Sequence, residues 1–374
     1  MAVEYKDEDL VKRVTDYYVE ADEGSTELRA EQKNCQDFAA GRQWYDPING
    51  QDLKKALQAE GKYALTYNVI GARVNQLSGQ QRRLRTEPVF MPLAGASLHG
   101  AKMLTETLQH VRHGSKAVYL ESQMFLDGLV QAFGWMEATI EMADDPFRGE
   151  IVLSVLSPKD IWPDPTCRDY DLNRKARFII KTYQLDKEQA QELYPSKFDE
   201  LGSLFDSIDK NGKPIEFAND DLYDHVPDGT VIVDVRKKRQ LTAVDCWWRV
   251  WRTEDRFVDN TELKWFIIGE SSDDEAPTVD KEKATLLAKL DPIRYKIISG
   301  IVVPLLYKTS LIYGLVVKHD KKPYGGIRNY PIYRFCPNWL DGEALSVVSP
   351  AIDPQRELNK RTSLAIYHLG QSAN

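Results

Sequence analysis

The spacing of apolar residues changes once, sharply, between positions 124 and 156, and that change limits what the chain can fold into. Met124, Leu126, Leu129, Val130 and Phe133 recur three and four apart, the spacing of one helix face. Gly134 ends the pattern. Met136, Ala138, Ile140 and Met142 then alternate with Glu137, Thr139 and Glu141, as in a strand with one face in a core. Asp144, Asp145, Pro146 and Gly149 supply turn chemistry, because Pro fixes one φ, Gly permits a positive one and Asp bonds to nearby backbone N–H groups. Residues 151–156 return as the partner strand of a hairpin. Ser157-Pro158 and the run Trp162-Pro163-Asp164-Pro165 predict an ordered, non-helical crossing, and residues 177–183 a third strand. A helix feeding a hairpin places the chain in the α+β class. The stretch has the character of scaffold.

The rest alternates in the same way. Residues 7–38 carry narrow apolar stripes that predict two helices, parted near Glu23-Gly24-Ser25, with Ser25 or Thr26 as the second N-cap. Further helices are expected over 52–60, from Thr66 to Arg85, over 101–116 and 117–133, and over 186–194, stopped by Pro195. A short strand is expected over 88–92. Residues 197–230 suggest loops and short helices, and 270–277 an acidic loop. Strands are expected over 231–235, 241–251 and 264–269, a helix over 281–289, and β-rich structure over 295–317 and 331–337. In the strand 241–251, Trp247 and Trp251 share one face and Trp248 takes the other, a two-sided aromatic strand suited to core or to a subunit interface. The final helix begins at Ser349 or Asp353, and its apolar Leu358, Leu364, Ala365 and Ile366 look made to pack on something.

A chain of 374 residues is long enough for about two or three domains and needs no covalent staples. Its 49 Lys+Arg against 57 Asp+Glu leave a net charge of −8, which argues against wrapping nucleic acid by global charge. It leaves room for a protein past which DNA slides. Cys35, Cys167, Cys246 and Cys336 lie far apart without a C-x-x-C spacing, so structural thiols in a reducing compartment are expected. The polar, acidic N-terminus is no signal peptide, and no apolar run approaches the ~18 residues of a membrane span.

No motif for catalysis is present. The chain lacks a P-loop, a G-x-S-x-G elbow, an H-E-x-x-H helix and an EF-hand loop. His110 and His113 stand three apart, but no nearby carboxylate completes a metal set. Asp144, Asp145, Asp164, Asp169 and Asp171 form the best acidic group. Such carboxylates can hold Mg²⁺ for phosphodiester cleavage, so a Mg-dependent nuclease is the alternative reading. Their Pro, Gly and Asn neighbours favour turns instead. Cationic runs are local: Arg82, Arg83 and Arg85; Arg236, Lys237, Lys238 and Arg239; Lys318, Lys321 and Lys322. No catalytic residue, metal site or cofactor is assigned.

Four collinear stretches carry a resemblance. They are residues 34–38 through Gly41-Arg42-Gln43-Trp44; Ala64-Leu65-Thr66-Tyr67-Asn68 with residues 77–82; Gly134-Trp135 through 144–147 to 162–165; and residues 353–363, from Asp353-Pro354-Gln355 to Arg361-Thr362-Ser363. Together they make the sequence resemble the portal, or head-to-tail connector, proteins of short-tailed, podovirus-type bacteriophages. The resemblance implies a non-enzymatic structural protein with a mixed helical and β fold, having a wing, a helical stem and a small β-containing clip. It implies a ring of about twelve copies at one capsid vertex, through which double-stranded DNA is packaged and ejected. Implied partners are the major capsid protein, the terminase and a tail adaptor, with no membrane; the location is the virion, after assembly in the host cytoplasm. On this footing residues 1–269 correspond to the wing, 281–337 to the stem and clip, and 349–374 to the start of a channel-side helix. Arg356, Lys360 and Arg361 on that helix become candidates to face DNA, and Trp247, Trp248 and Trp251 to line a subunit interface. Family members run well beyond this length, so the remaining wing, the crown and any helical barrel are expected outside these 374 residues. A virion interaction module that never touches DNA is the remaining alternative.

Overall fold

The computed structural model describes residues 5–46, 51–93, 97–145, 148–206, 231–232, 240–261, 264–268 and 278–372. The cationic run 236–239, the acidic loop 270–277, most of the excursion 197–230 and the hairpin residues Pro146 and Phe147 lie outside the described residues. In chain order the elements are α1 (Asp7–Ala39), β1 (Tyr45–Asp46), β2 (Gln51–Asp52), α2 (Leu53–Ala59), α3 (Val69–Arg83), α4 (Leu98–Gly114), α5 (Ala117–Gln131), β3 (Gly134–Asp145), β4 (Arg148–Leu156) and β5 (Ile161–Pro163). There follow α6 (Leu172–Lys175), β6 (Phe178–Asp186), α7 (Lys187–Leu193), α8 (Phe198–Asp206), β7 (Val231–Ile232), β8 (Gln240–Asp259), β9 (Lys264–Ile268), β10 (Thr278–Val279) and a helix at Lys281–Leu290. Last come β11 (Tyr295–Ile312), β12 (Leu315–Asp320), β13 (Ile332–Phe335), β14 (Asn338–Leu340), β15 (Glu343–Leu345) and the C-terminal helix (Ile352–Ser372). The fold is α+β. It forms two compact units, Met1–Val19 with Arg177–Tyr330, and Glu20–Ala176 with Pro331–Asn374, so α1 contributes to both.

The first unit is organised by β8. Its 20 residues outrun any single neighbour: β11 follows it from Ala243 to Asp259, while on the other edge β6 covers Gln240–Trp248 and β9 covers Arg256–Asp259. Pro304, which has no N–H to donate, sits in β11 beyond the end of β12, where among the described residues β8 alone pairs with it. On one face Ala190 of α7 and Leu201 and Phe205 of α8 pack against Leu185, Leu241, Ala243, Ile312 and Val317 of the sheet. The sheet also buries charge. Asp245 takes the Lys308 ammonium at 2.8 Å and the Ser310 hydroxyl at 2.6 Å, satisfying a carboxylate that burial would otherwise make costly.

The second unit packs α1, α3 and α5 with the C-terminal helix and the antiparallel sheet β13-β3-β4. Cys35, Phe38, Ile70, Val74, Val348 and Ile352 form its buried core cluster. The chain leaves α5 through Ala132, at φ 65°, and enters β3 at Gly134, where a Cβ would come within 2.0 Å of the Met124 carbonyl oxygen. That close approach ends the helix.

Three expectations are corrected and one is extended. First, residues 7–38 make one continuous helix: Ser25 Oγ donates to the Ala21 carbonyl at 2.6 Å and caps nothing. Gly24 is there for space, since a Cβ would stand 2.5 Å from Pro165 Cβ. Second, the third strand is present as β6; it joins the β8 sheet, and β13 from far downstream completes the hairpin's sheet. Third, residues 88–92 pair with no strand among the described residues; two prolines and the Phe90 N–H, donated to Thr105 Oγ1 at 3.1 Å, keep them beside α4. Fourth, α3 starts at Val69 behind Asn68, whose side chain accepts the Gly71 N–H.

Gly24 yields a prediction in which two effects compete. Alanine favours a helix interior over glycine by about 1 kcal/mol, whereas overpacking a rigid neighbour costs about 1–3 kcal/mol. Gly24→Ala is expected to lower stability despite its better propensity, and a urea melt in which it stabilises the protein would refute the packing explanation.

Candidate interaction surfaces

The C-terminal helix does not bury the face its apolar residues suggested. Leu358 is 41% and Leu364 53% exposed, whereas Gln355, Asn359 and Ser363 are 3%, 2% and 6% exposed. Spaced four apart, these three lie on one stripe. They face an extended segment before α3 that, among the described residues, has no strand partner to satisfy its backbone. The Leu65 N–H donates to Ser363 Oγ at 3.0 Å, the Tyr67 N–H to Asn359 Oδ1 at 3.0 Å and the Val69 N–H to Gln355 Oε1 at 3.2 Å. Gln355 Nε2 donates back to the Tyr67 carbonyl. Asn359 Nδ2 donates to Gln43 Oε1 at 2.6 Å, and Gln43 Nε2 to Asn68 Oδ1 at 3.1 Å, extending the ladder toward α1. Alternate residues of the segment are thus read by successive turns of the helix. The signal was present in the sequence as a polar i, i+4, i+8 stripe, but its partner was not.

The channel candidates share the rest of that helix. Arg356 lies over the Phe38 ring at 5.0 Å and 3.4 Å from Asp353, and Arg361 pairs with Glu357 at 2.6 Å. Lys360 is exposed and has no ion pair among the described residues. At about 100° per residue, Arg356 and Lys360 lie on one flank and Arg361 points well away from them. Lys360 also lines an open groove of about 410 Å³ with Trp44, Leu57, Tyr63, Leu364 and Tyr367.

The three tryptophans separate. Trp247 and Trp248 are both 0% exposed. Lys308 Nζ lies 4.8 Å from the Trp247 ring, and Trp248 Nε1 donates to Thr309 Oγ1 at 3.0 Å. Thr309 in turn meets His319 Nδ1 at 3.0 Å, and burial holds that imidazole below its ordinary pKa. Trp251, at 53% exposure, stands on an open part of the sheet with Val302 on the same face.

The acidic group is taken up locally. Asp164 Oδ1 accepts from the Thr166 N–H at 3.0 Å and hydroxyl at 2.7 Å. Asp171 caps α6 through the Asn173 N–H, and Asp169 pairs with Lys175 at 3.3 Å. The side chains of Asp144 and Asp145 are outside the described set. Among the described residues no three His, Cys, Asp or Glu side chains come together as metal ligands would. His110 and His113 are exposed on α4, Arg82 and Arg83 are exposed at the C-terminal end of α3, and Arg85 donates to Ser122. The four cysteines are buried free thiols, and burial raises each one's pKa, that of Cys35 to about 11.

Two measurements test this packing. Asn359→Ala strands the Tyr67 N–H and takes one bond each from the Gln355 and Gln43 amides, which keep their others; a loss of about 1–3 kcal/mol is expected in chemical denaturation, and Asn359→Asp, which sets a buried carboxylate oxygen against Gln43 Oε1, should not restore it. Burial alone pushes the Asp127 carboxyl from 3.8 to about 6. The folded state holds that proton more tightly, so this contribution to stability is full below about pH 4 and lost as pH rises through 6. With the group partly solvated, Asp127→Asn is expected to gain about 1 kcal/mol at pH 7 and nothing at pH 3.5.

No curated protein sequence matches the chain. The model of one family, described as phage P22-like portal protein, matches residues 15–374. That span includes α1 from its third turn, the β8 sheet, the β13-β3-β4 sheet, the extended segment and the C-terminal helix that reads it, and on this evidence the chain belongs to the phage P22-like portal protein family.

Proposed function

We propose that this chain is the wall subunit of a portal ring of about twelve copies, set at one vertex of a phage capsid, through which double-stranded DNA is packaged and ejected. The observation that carries the reading is the family match over residues 15–374. Portal proteins are structural, capsid-associated and oligomeric; subunit number, the terminase and tail adaptor as docking partners, the major capsid protein as neighbour, and a short-tailed phage as source are the finer parts of the proposal. In this reading residues 1–269 form the wing, 281–337 the stem and clip, and 349–374 begin a channel-side helix. Among the described residues no helix is long and apolar enough to cross a membrane.

The physical character of the chain supports the reading. A wall that lets DNA move must not grip it, and affinity for DNA rises with each phosphate neutralised. A net charge of −8 with a few isolated cations meets that need, because a ring repeats each cation once per subunit and makes a thin belt of it. Arg356, Lys360 and Arg361 are the proposed belt, with Lys360, free of any ion pair among the described residues, the strongest member. Trp251 is the tryptophan of the three with surface to offer a neighbouring subunit.

Negative-stain imaging of purified protein is expected to show closed rings with a central hole, and a strictly monomeric protein at high concentration and in particles would end the portal reading. Reversing Arg356, Lys360 and Arg361 to Glu should leave rings intact and impair packaging of DNA into heads. Unchanged packaging would remove these residues from the channel.

A further inference from the structure

Between Glu60 and Glu87 the chain carries no acid, although Asp and Glu number 57 in all. Most of that interval is α3, and α3 buries one face only, through Ile70, Val74 and Ser78. Its exposed half carries Arg73, Arg82 and Arg83, the amides of Asn75, Gln76 and Gln80, and no carboxylate. At about 100° per residue, Arg73 and Arg82 fall at opposite edges of that half, with Gln76 and Arg83 between them. Arg82 and Arg83 make no ion pair or hydrogen bond among the described residues, and Arg73 meets only Gln76 Oε1, at 3.0 Å. The helix dipole favours cations in the last turn, where Arg82 and Arg83 stand, but gives no reason for Arg73 near the start.

Gly79 is the second observation. A glycine inside a helix costs stability relative to alanine. Gly24, Gly71 and Gly128 have cause for it, since a Cβ there would stand 2.5, 2.7 and 2.6 Å from Pro165, Asn68 and Phe335. At Gly79, which a full helical turn follows, a Cβ would meet nothing within 4 Å among the described residues, and φ is not positive. Gly114 and Gly370 also meet nothing, but they lie in the last turns of their helices. No described neighbour calls for the missing side chain at Gly79. With Ala72 two turns earlier on the same stripe, it leaves a low centre between the arginines.

That combination fits a phosphate backbone. Guanidinium groups pair with phosphate through two parallel N–H donors, amide side chains donate to it as well, and a low centre lets the two surfaces come close. Arg73 and Arg83 are ten residues apart, about 15 Å along the helix, a reach of about four phosphates on one strand of a duplex. We infer that the exposed half of α3 touches the phosphate backbone of double-stranded DNA without reading its bases. The partner rests on the portal reading, and the location on the acid-free face and Gly79. A ring would repeat the face in every subunit. The belt so formed differs from that of the C-terminal helix, where Arg356 and Arg361 are already paired.

Binding of a short DNA duplex to rings of the full chain, followed across a salt series, tests the inference. Arg73→Gln, Arg82→Gln and Arg83→Gln together should flatten the plot of log affinity against log salt by about 0.9 for each arginine that meets a phosphate, equally for duplexes of different sequence. Gly79→Leu fills the low centre and leaves charge alone. It should weaken binding about tenfold at fixed salt, with the slope kept and the protomer melting no lower, because the added side chain meets open space. Rings whose salt slope ignores the arginine changes, or whose affinity ignores Gly79→Leu, would overturn the inference and leave the portal reading standing. So would rings that bind no duplex at low salt. Arginine variants that lose rings while the protomer melts as before would give the face to an acidic protein neighbour and overturn the DNA assignment. Wild-type protein that forms no ring would defeat the portal reading and, with it, the partner named here.

Discussion

The interaction on which the second unit depends is a polar one, the ladder from Gln355, Asn359 and Ser363 to the backbone of residues 65–69. Buried N–H groups must find acceptors. A segment with no neighbouring strand can meet that demand only through side chains, and a helix supplies them at the right pitch: four residues advance about 6 Å along its axis, close to the two-residue repeat of an extended chain. The match joins positions nearly 300 apart in sequence. It also fixes register, because sliding the helix by one residue would set Arg356 and Lys360 against the backbone in place of amides.

This arrangement explains which parts of the fold were legible in the sequence. The α5-to-hairpin sequence was readable because both periods, 3.6 and 2, are enforced by burial of apolar side chains, and Gly134 marks the switch between them. The two ends of α7 and the start of the C-terminal helix were readable from Asp and Pro for similarly local reasons, whereas that helix runs on through Gly370 to Ser372. Gly24 misled because glycine has two meanings. It breaks helices by its entropy, but it also permits close approach, and only the position of Pro165 decides between them. The C-terminal helix misled more deeply. Its apolar residues are the exposed ones and its buried stripe is amide and hydroxyl, an inversion that hydrophobicity alone cannot reveal.

Of the candidate residues, the tryptophans show the same division. Strand periodicity assigned Trp247 and Trp248 to opposite faces, and both faces of that part of β8 are covered, one by the Lys308 stem and the other by Tyr5, Arg13 and Tyr307 packed around Trp248. Trp251 shares a face with Trp247, yet lies where β6 has ended and β9 has not begun. Neighbour coverage along a 20-residue strand, rather than residue type, separates a core indole from a surface one.

Under the proposed function the wall has to resist deformation while offering little to hold DNA, and the distribution of charge in this chain fits both demands. The buried Asp245 carboxylate is closed by Lys308 and Ser310, and breaking such a pair costs about 3–5 kcal/mol, which makes that part of the sheet stiff and specific. Where charge is exposed on the C-terminal helix, pairing with Asp353 and Glu357 reduces the cationic potential of Arg356 and Arg361, and solvent and salt weaken what is left. A duplex passing such a surface would meet a shallow attraction repeated around a ring, with no deep well at any one step. Stiffness comes from what the fold encloses and slipperiness from what it leaves in water, and the two requirements do not compete because they fall on different residues.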